Sequence, residues 1–147
     1  MIEIRFLKSG DEIWLHRIAE AFRHDEIAEE KAKDILNRGN VVIAAAMDED
    51  KICGYALAYL LPRLDSGNDV LYFYHLFVLD EYQNQGIGTK LVQMLIDYAK
   101  ENNLHYFFLI TQHDNEKARR LYEKLGGEHH PKNDTAYYWY INAKPQV

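Results

Sequence analysis

The stretch from Val70 to Val78 is dense in β-branched and aromatic side chains. It leads through Gln83-Asn84-Gln85-Gly86-Ile87-Gly88 into an amphipathic run that ends near Glu101. A buried strand that turns directly into a helix needs that helix to lie back on the sheet, so this segment predicts an α/β layer. In the helix, expected over Gly86–Glu101, Leu91, Val92, Leu95 and Ala99 share one face. Gly86 and Gly88 lack Cβ atoms, so the backbone there accepts unusual dihedrals and close approach. Main-chain N–H groups of the turn, with those of the first helical turn, form an anion site suited to a pyrophosphate. The competing reading is a plain strand-to-helix turn with two convenient glycines. The dinucleotide fingerprint is absent, because position 91 is Leu, and so is the Walker loop.

The remaining chain extends the same pattern. Ile2–Leu7 alternates as a first strand, and Ser9 or Asp11 is placed to cap a helix running to Arg23. Ile27–Leu36 reads as a more polar helix ending near Gly39, a candidate left-handed cap. Val41–Met47 and Ile52–Leu60 form an antiparallel hairpin across an acidic turn, and Pro62–Asp69 is a loop. His105–Thr111 is a short strand, Asn115–Leu125 a helix stopped by Gly126-Gly127, and Ala136–Asn142 a closing strand, with another around Glu128. The expectation is a single domain over residues 1–147, a mixed α/β sheet flanked by helices.

Composition removes several function classes. Seventeen Lys and Arg against 23 Asp and Glu leave a net charge of −6, without the basic surplus that displaces counterions from nucleic acid. Apolar residues make up 48% and charged residues 27%, which excludes a disordered chain. The longest apolar runs, Val41–Met47 and Tyr55–Leu61, span 7 residues each, far below the roughly 20 that cross a bilayer. Met1–Phe6 carries no signal-type stretch, so a soluble cytoplasmic protein is expected. Cys53, the one cysteine, offers neither a disulfide nor zinc spacing, and no metal is expected.

A second constellation, Asn115-Glu116-Lys117-Ala118-Arg119-Arg120-Leu121-Tyr122-Glu123-Lys124-Leu125-Gly126, follows the next strand. Q-x-x-G-x-G after one strand and N-x-x-A-x-x-x-Y-x-K-x-G after the next resemble the GNAT superfamily of acetyl-CoA-dependent N-acetyltransferases, over roughly Val41 to Asn142. The resemblance implies a mostly antiparallel central sheet with a splayed strand pair that binds acetyl-CoA. It assigns donor contacts to Leu76, Phe77 and Val78, to Gln83, Asn84, Gln85, Gly86, Ile87, Gly88 and Thr89, and to Asn115, Lys117, Ala118 and Tyr122. Tyr55–Arg63 followed by Leu71–Val78 is similar, more narrowly, to aminoglycoside 3-N-acetyltransferases, antibiotic-resistance enzymes. The departure is His75, which stands where those enzymes carry an aspartate. Polyamines, amino acid derivatives and protein amines stay open as acceptors, as does a coenzyme A-binding module without catalysis.

Acetyl transfer to an amine needs a neutral nucleophile, stabilisation of the carbonyl oxygen and a proton for the leaving thiolate. Within the family motif Tyr122 is the candidate acid, since an ordinary phenol stays protonated at neutral pH; a packing tyrosine is the bland reading. Asn115 reads as a cofactor contact, an N-cap or both. His75 has the intrinsic pKa of a base. Alternation places Phe73, His75 and Phe77 on one face, unless a bulge intervenes, and a hydrogen-bonded core histidine competes equally. Glu81 and His113 are weaker base candidates. Tyr137–Tyr140 reads as an aromatic terminal strand with one face in the core and the other at a homodimer interface. Arg119, Arg120, Lys117 and Lys124 form a cationic helix face, and Asp25, Glu26, Glu29 and Glu30 an acidic one.

Overall fold

The computed structural model describes residues 1–130 and 136–142. These fall into two compact units, Met1–Gln112 and His113–Val147, taken in turn.

The first unit is a sheet with three helices. Its strands are Ile2–Phe6 (β1), Val41–Asp48 (β2), Lys51–Leu61 (β3), Val70–Val78 (β4) and Phe107–Leu109 (β5), in spatial order β1-β2-β3-β4-β5. The first four pair antiparallel and β5 joins β4 in parallel. Helices Glu12–Arg23 (α1), Glu29–Asn37 (α2) and Ile87–Glu101 (α3) complete it. Ile43, Ala45, Met47, Ile52 and Tyr55 form one core with Leu15 and Ile18 of α1 and Ala32 of α2. Ala44, Ala46, Ala56 and Ala58 alternate with those strand residues and are fully buried. Their small side chains let a helix approach the opposite face closely, where Leu91, Val92 and Leu95 of α3 are buried too.

Three local expectations are corrected. Asp11 occupies the N-cap position of α1 but makes no side-chain capping bond. Its carboxylate instead accepts a two-pronged guanidinium contact from Arg5, at 2.8 and 2.9 Å, and the Lys8 N–H at 2.8 Å. Charge-assisted paired bonds outweigh a neutral cap, and they hold the Asp11 carboxyl below its ordinary range. Gly39 is not left-handed; α2 ends through an extended Arg38, whereas His24 (φ 50°) closes α1 in that conformation. The strand expected over His105–Thr111 is cut to Phe107–Leu109, because its pairing covers only Leu71–Phe73.

That pairing stops at a bulge. Leu57 faces His75 and the next residue, Ala58, faces Phe73, so Tyr74 is the extra residue in β4. A bulge bends its strand, and the pairing of β4 with β5 ends just before it, at Phe73 and Leu109. The mixed, mostly antiparallel sheet flanked by helices is thus present.

The second unit holds the helix Glu116–Lys124 (α4). Gly126, at φ 95°, ends it, and the following Gly127 N–H donates to the Tyr122 carbonyl at 2.9 Å. A Cβ at Gly127 would sit 3.0 Å from that oxygen, which is why two glycines stand here. Among the described residues neither 136–142 nor 128–130, where closing strands are expected, is part of a strand. Tyr137, Tyr138, Trp139 and Tyr140 are all exposed, so the expected core face of that strand is absent as well.

Candidate active site

The exposed edge of β4 carries the first part of the site. The Leu79 N–H donates to the Cys53 carbonyl at 2.8 Å, so antiparallel alternation directs the main chains of Phe77 and His75 toward β3. The N–H and C=O groups of Leu76 and Val78 therefore point the other way, past the end of β5. The Val78 carbonyl is taken by the Gln83 amide at 3.0 Å. Leu76 keeps both of its main-chain groups and Val78 its N–H, aimed along an edge no strand covers among the described residues. Opposite lies Gly54, where a Cβ would come within 2.8 Å of the Phe77 carbonyl; only glycine lets β3 sit this close.

The turn after β4 is fixed by short-range bonds. One turn of 3-10 helix, Asp80–Tyr82, is held by the Tyr82 hydroxyl donating to Asp48 at 3.1 Å and by Lys51 paired with Glu81 at 3.1 Å. The Gln85 amide donates to the Glu81 carbonyl at 3.3 Å. Asn84 (φ 63°) and Gly86 (φ 81°) are both left-handed. Within α3 the first helical bond runs from the Lys90 N–H to the Gly86 carbonyl. The N–H groups of Ile87, Gly88 and Thr89 thus precede the helical ladder, as at any helix start. A Cβ at Gly86 would meet no protein atom within 4 Å, and one at Gly88 only ordinary contacts at 3.9 and 4.0 Å. The chain itself does not need the space these glycines leave.

The bulge overturns the facing expected for β4. Phe73 goes to one side, stacked on Phe107 with centroids 5.8 Å apart. Tyr74 and His75 share the other, their rings stacked at 4.2 Å. His75 is half-buried beside Phe77, and its Nδ1 lies 3.4 Å from the Tyr55 hydroxyl. Burial first, then the positive charge of Arg23, hold the imidazole below its ordinary pKa. Burial likewise pushes the Tyr55 phenol up to about 12. Glu81 pairs with Lys51 on the surface, and His113 is exposed with its ring 6.0 Å from that of His129.

In the second unit Asn115 caps α4, its Oδ1 accepting the Ala118 N–H at 3.2 Å. Arg119 donates to the His113 carbonyl at 3.0 Å. Tyr122 is half-buried, and burial pushes its phenol above the ordinary value, keeping it protonated at neutral pH. Lys117 and Arg120 lie on the same helix. Sequence reasoning missed Tyr55, Tyr74 and the Asp48–Tyr82 bond, because each depends on strand register.

A model of the acetyltransferase (GNAT) family matches residues 7–127. The chain belongs to that family. GNAT proteins are acetyl-CoA-dependent N-acyltransferases. An uncharacterised N-acetyltransferase of Bacillus subtilis is 31% identical over 118 residues, 80% of this GNAT chain and 76% of the relative. A thialysine N-epsilon-acetyltransferase of Mus musculus is 32% identical over 77 residues, 52% of this chain but only 45% of the mouse protein. The chain thus spans under half the length of that relative. Among solved structures, an aminoglycoside acetyltransferase from an uncultured soil metagenomic sample, in complex with sisomicin, superposes with a TM-score of 0.82. It covers 97% of both chains at 21% identity, a likeness of fold. An aminoglycoside N-acetyltransferase in complex with CoA superposes at 0.73 with 16% identity. Among the described residues no helix is long and apolar enough to cross a membrane, and no group of His, Cys, Asp and Glu could hold a metal ion.

Proposed function

We propose that this protein moves the acetyl group of acetyl-CoA to a primary amine of a small molecule, by direct transfer. The uncovered edge at Leu76 and Val78 carries the reading. It offers main-chain N–H and C=O groups in line, as a sheet does to an added strand, and so suits the amide-bearing pantetheine arm. The left-handed turn and the leading N–H groups of Ile87, Gly88 and Thr89 suit the pyrophosphate, with Gln83, Asn84 and Gln85 shaping that turn. Asn115, Lys117 and Ala118 are assigned to the donor from their motif.

Bound acetyl-CoA supplies an activated thioester. The N–H groups at Leu76 and Val78 stabilise charge on its carbonyl oxygen. His75, neutral at physiological pH, accepts the amine proton directly or through a water. Tyr122 donates a proton to the departing thiolate, an assignment that rests on its place in the α4 motif. Aminoglycosides enter as the first acceptors to test because structural neighbours bind them; His75 in place of an acid weakens that case. Release of free thiol from acetyl-CoA across an amine panel tests the reading. Turnover with at least one small amine supports it. Failure of coenzyme A to bind the folded protein in calorimetry overturns it.

A further inference from the structure

The rings around His75 form a continuous cluster, buried at Tyr55 and reaching the surface at Tyr74. Tyr74 stacks on His75 and stands 5.8 Å from both Tyr59 and Tyr72, by ring centroids. Tyr72 in turn stacks on Phe108 at 4.8 Å. On the other side of His75 come Phe77 at 5.3 Å and Tyr55 at 6.4 Å, with Phe22 of α1 behind Tyr55 at 5.2 Å. Tyr74 is 46% exposed, so this surface is open where it meets the histidine. The charged side chain that acts on both His75 and Tyr55 is a cation, Arg23, the last residue of α1, with Asp25 and Glu26 following it in the chain. Among the described residues no carboxylate hydrogen-bonds to Tyr55, Tyr59, Tyr74 or His75.

Such a surface selects among amines. Each ammonium of a polycation loses water on docking and needs a carboxylate or equivalent acceptor in return. Here rings and a guanidinium wait instead. An amine with one nitrogen gives up hydration only at the atom that must become neutral to react, and the nearby Arg23 charge favours that neutral form. Its body then gains from stacking on a tyrosine. The apolar wall and the base are adjacent because the bulge turns Tyr74 to the side of His75.

Resting on the acetyl-transfer reading above, we infer that the acceptor is a monoamine with an aromatic body, held against Tyr74 with its nitrogen at His75. The test compares 2-phenylethylamine, spermidine and sisomicin by thiol release, alongside calorimetric titration with coenzyme A. The expected result is a kcat/KM at least tenfold higher for 2-phenylethylamine than for either polycation. Tyr74→Ala should raise KM for 2-phenylethylamine about tenfold, with kcat changed less than threefold and coenzyme A affinity unchanged. Tyr74→Phe, which keeps the ring, should restore KM. Preference for spermidine or sisomicin overturns the inference, as does a Tyr74→Ala protein with unaltered KM. Binding of coenzyme A without turnover of any of the three also overturns it and leaves the donor site standing. Absence of coenzyme A binding overturns the acetyl-transfer reading itself and the inference with it.

Discussion

Gly86 gives the sharpest test of the donor turn, because strain and obstruction separate there. Its φ of 81° is left-handed, and an added Cβ would meet nothing within 4 Å. The protein therefore resists Gly86→Ala only through backbone strain, about 1–2 kcal/mol for an L residue in this region. In a domain of this size that lowers Tm by about 3–8 °C. If the free variant relaxes, a ligand must restore the left-handed turn, and the same energy weakens binding by about 5–30-fold. Loss beyond that range measures a Cβ standing where phosphate oxygens approach. Gly86→Asn is the control: asparagine tolerates this conformation, as Asn84 does at φ 63°. We expect calorimetry to show coenzyme A affinity reduced more than about 30-fold in the alanine variant. The asparagine variant should lose at least about tenfold, the equivalent of 1.4 kcal/mol, with Tm near the parent value. Wild-type affinity in both, with the alanine Tm still lowered, would refute phosphate binding at this turn.

Tyr122→Phe should lower kcat by about 10²–10⁴-fold while barely changing coenzyme A affinity, since a general acid acts in the transition state; single-turnover rates check this. For His75 the sign follows from its depressed pKa: the folded state holds fewer protons than the unfolded one, whose histidine titrates near about 6.5. Stability should therefore fall as pH drops below about 6.5, and His75→Ala should lack that fall in Tm-against-pH scans. If His75 is the base, the same variant loses the acidic limb of kcat/KM, which lies below about 6.5, and an unchanged profile makes the residue structural. Tyr82→Phe removes the 3.1 Å bond to Asp48 that ties the donor turn to the β2–β3 hairpin. It should raise KM for acetyl-CoA several-fold with kcat unchanged, and steady-state kinetics against acetyl-CoA concentration check this.

The elements legible in the sequence are those whose pattern is local. Val70–Val78 is found with the predicted bounds, and Leu91, Val92 and Leu95 mark the buried face of α3 as their spacing predicts. The paired motifs likewise point to the family that the comparison shows. What stays hidden depends on partners distant in sequence. Phe73, Tyr74 and His75 are equally at ease in a strand, so no propensity marks which is the extra residue. Only the register against Leu57 and Ala58 places it. Asp11 looks like a cap because its competitor Arg5 lies in the preceding strand. Gly39 looks like a helix stop because glycine permits a left-handed turn without requiring one. The aromatic run Tyr137–Tyr140 reads as a strand, yet it is not part of one among the described residues. The candidate site divides the same way, with the donor turn carried by a motif and the surroundings of His75 by folding alone.

The bulge in β4 also divides the strand between two masters. Beyond Tyr74, the edge at Leu76 and Val78 speaks through main-chain groups that every amino acid possesses. The face at Tyr74 and His75 speaks through side chains. On the proposed reading, substitutions on that face alter which amine is welcomed while the grip on the common donor stays put. Under that reading, a chain built this way changes clients without changing its supply.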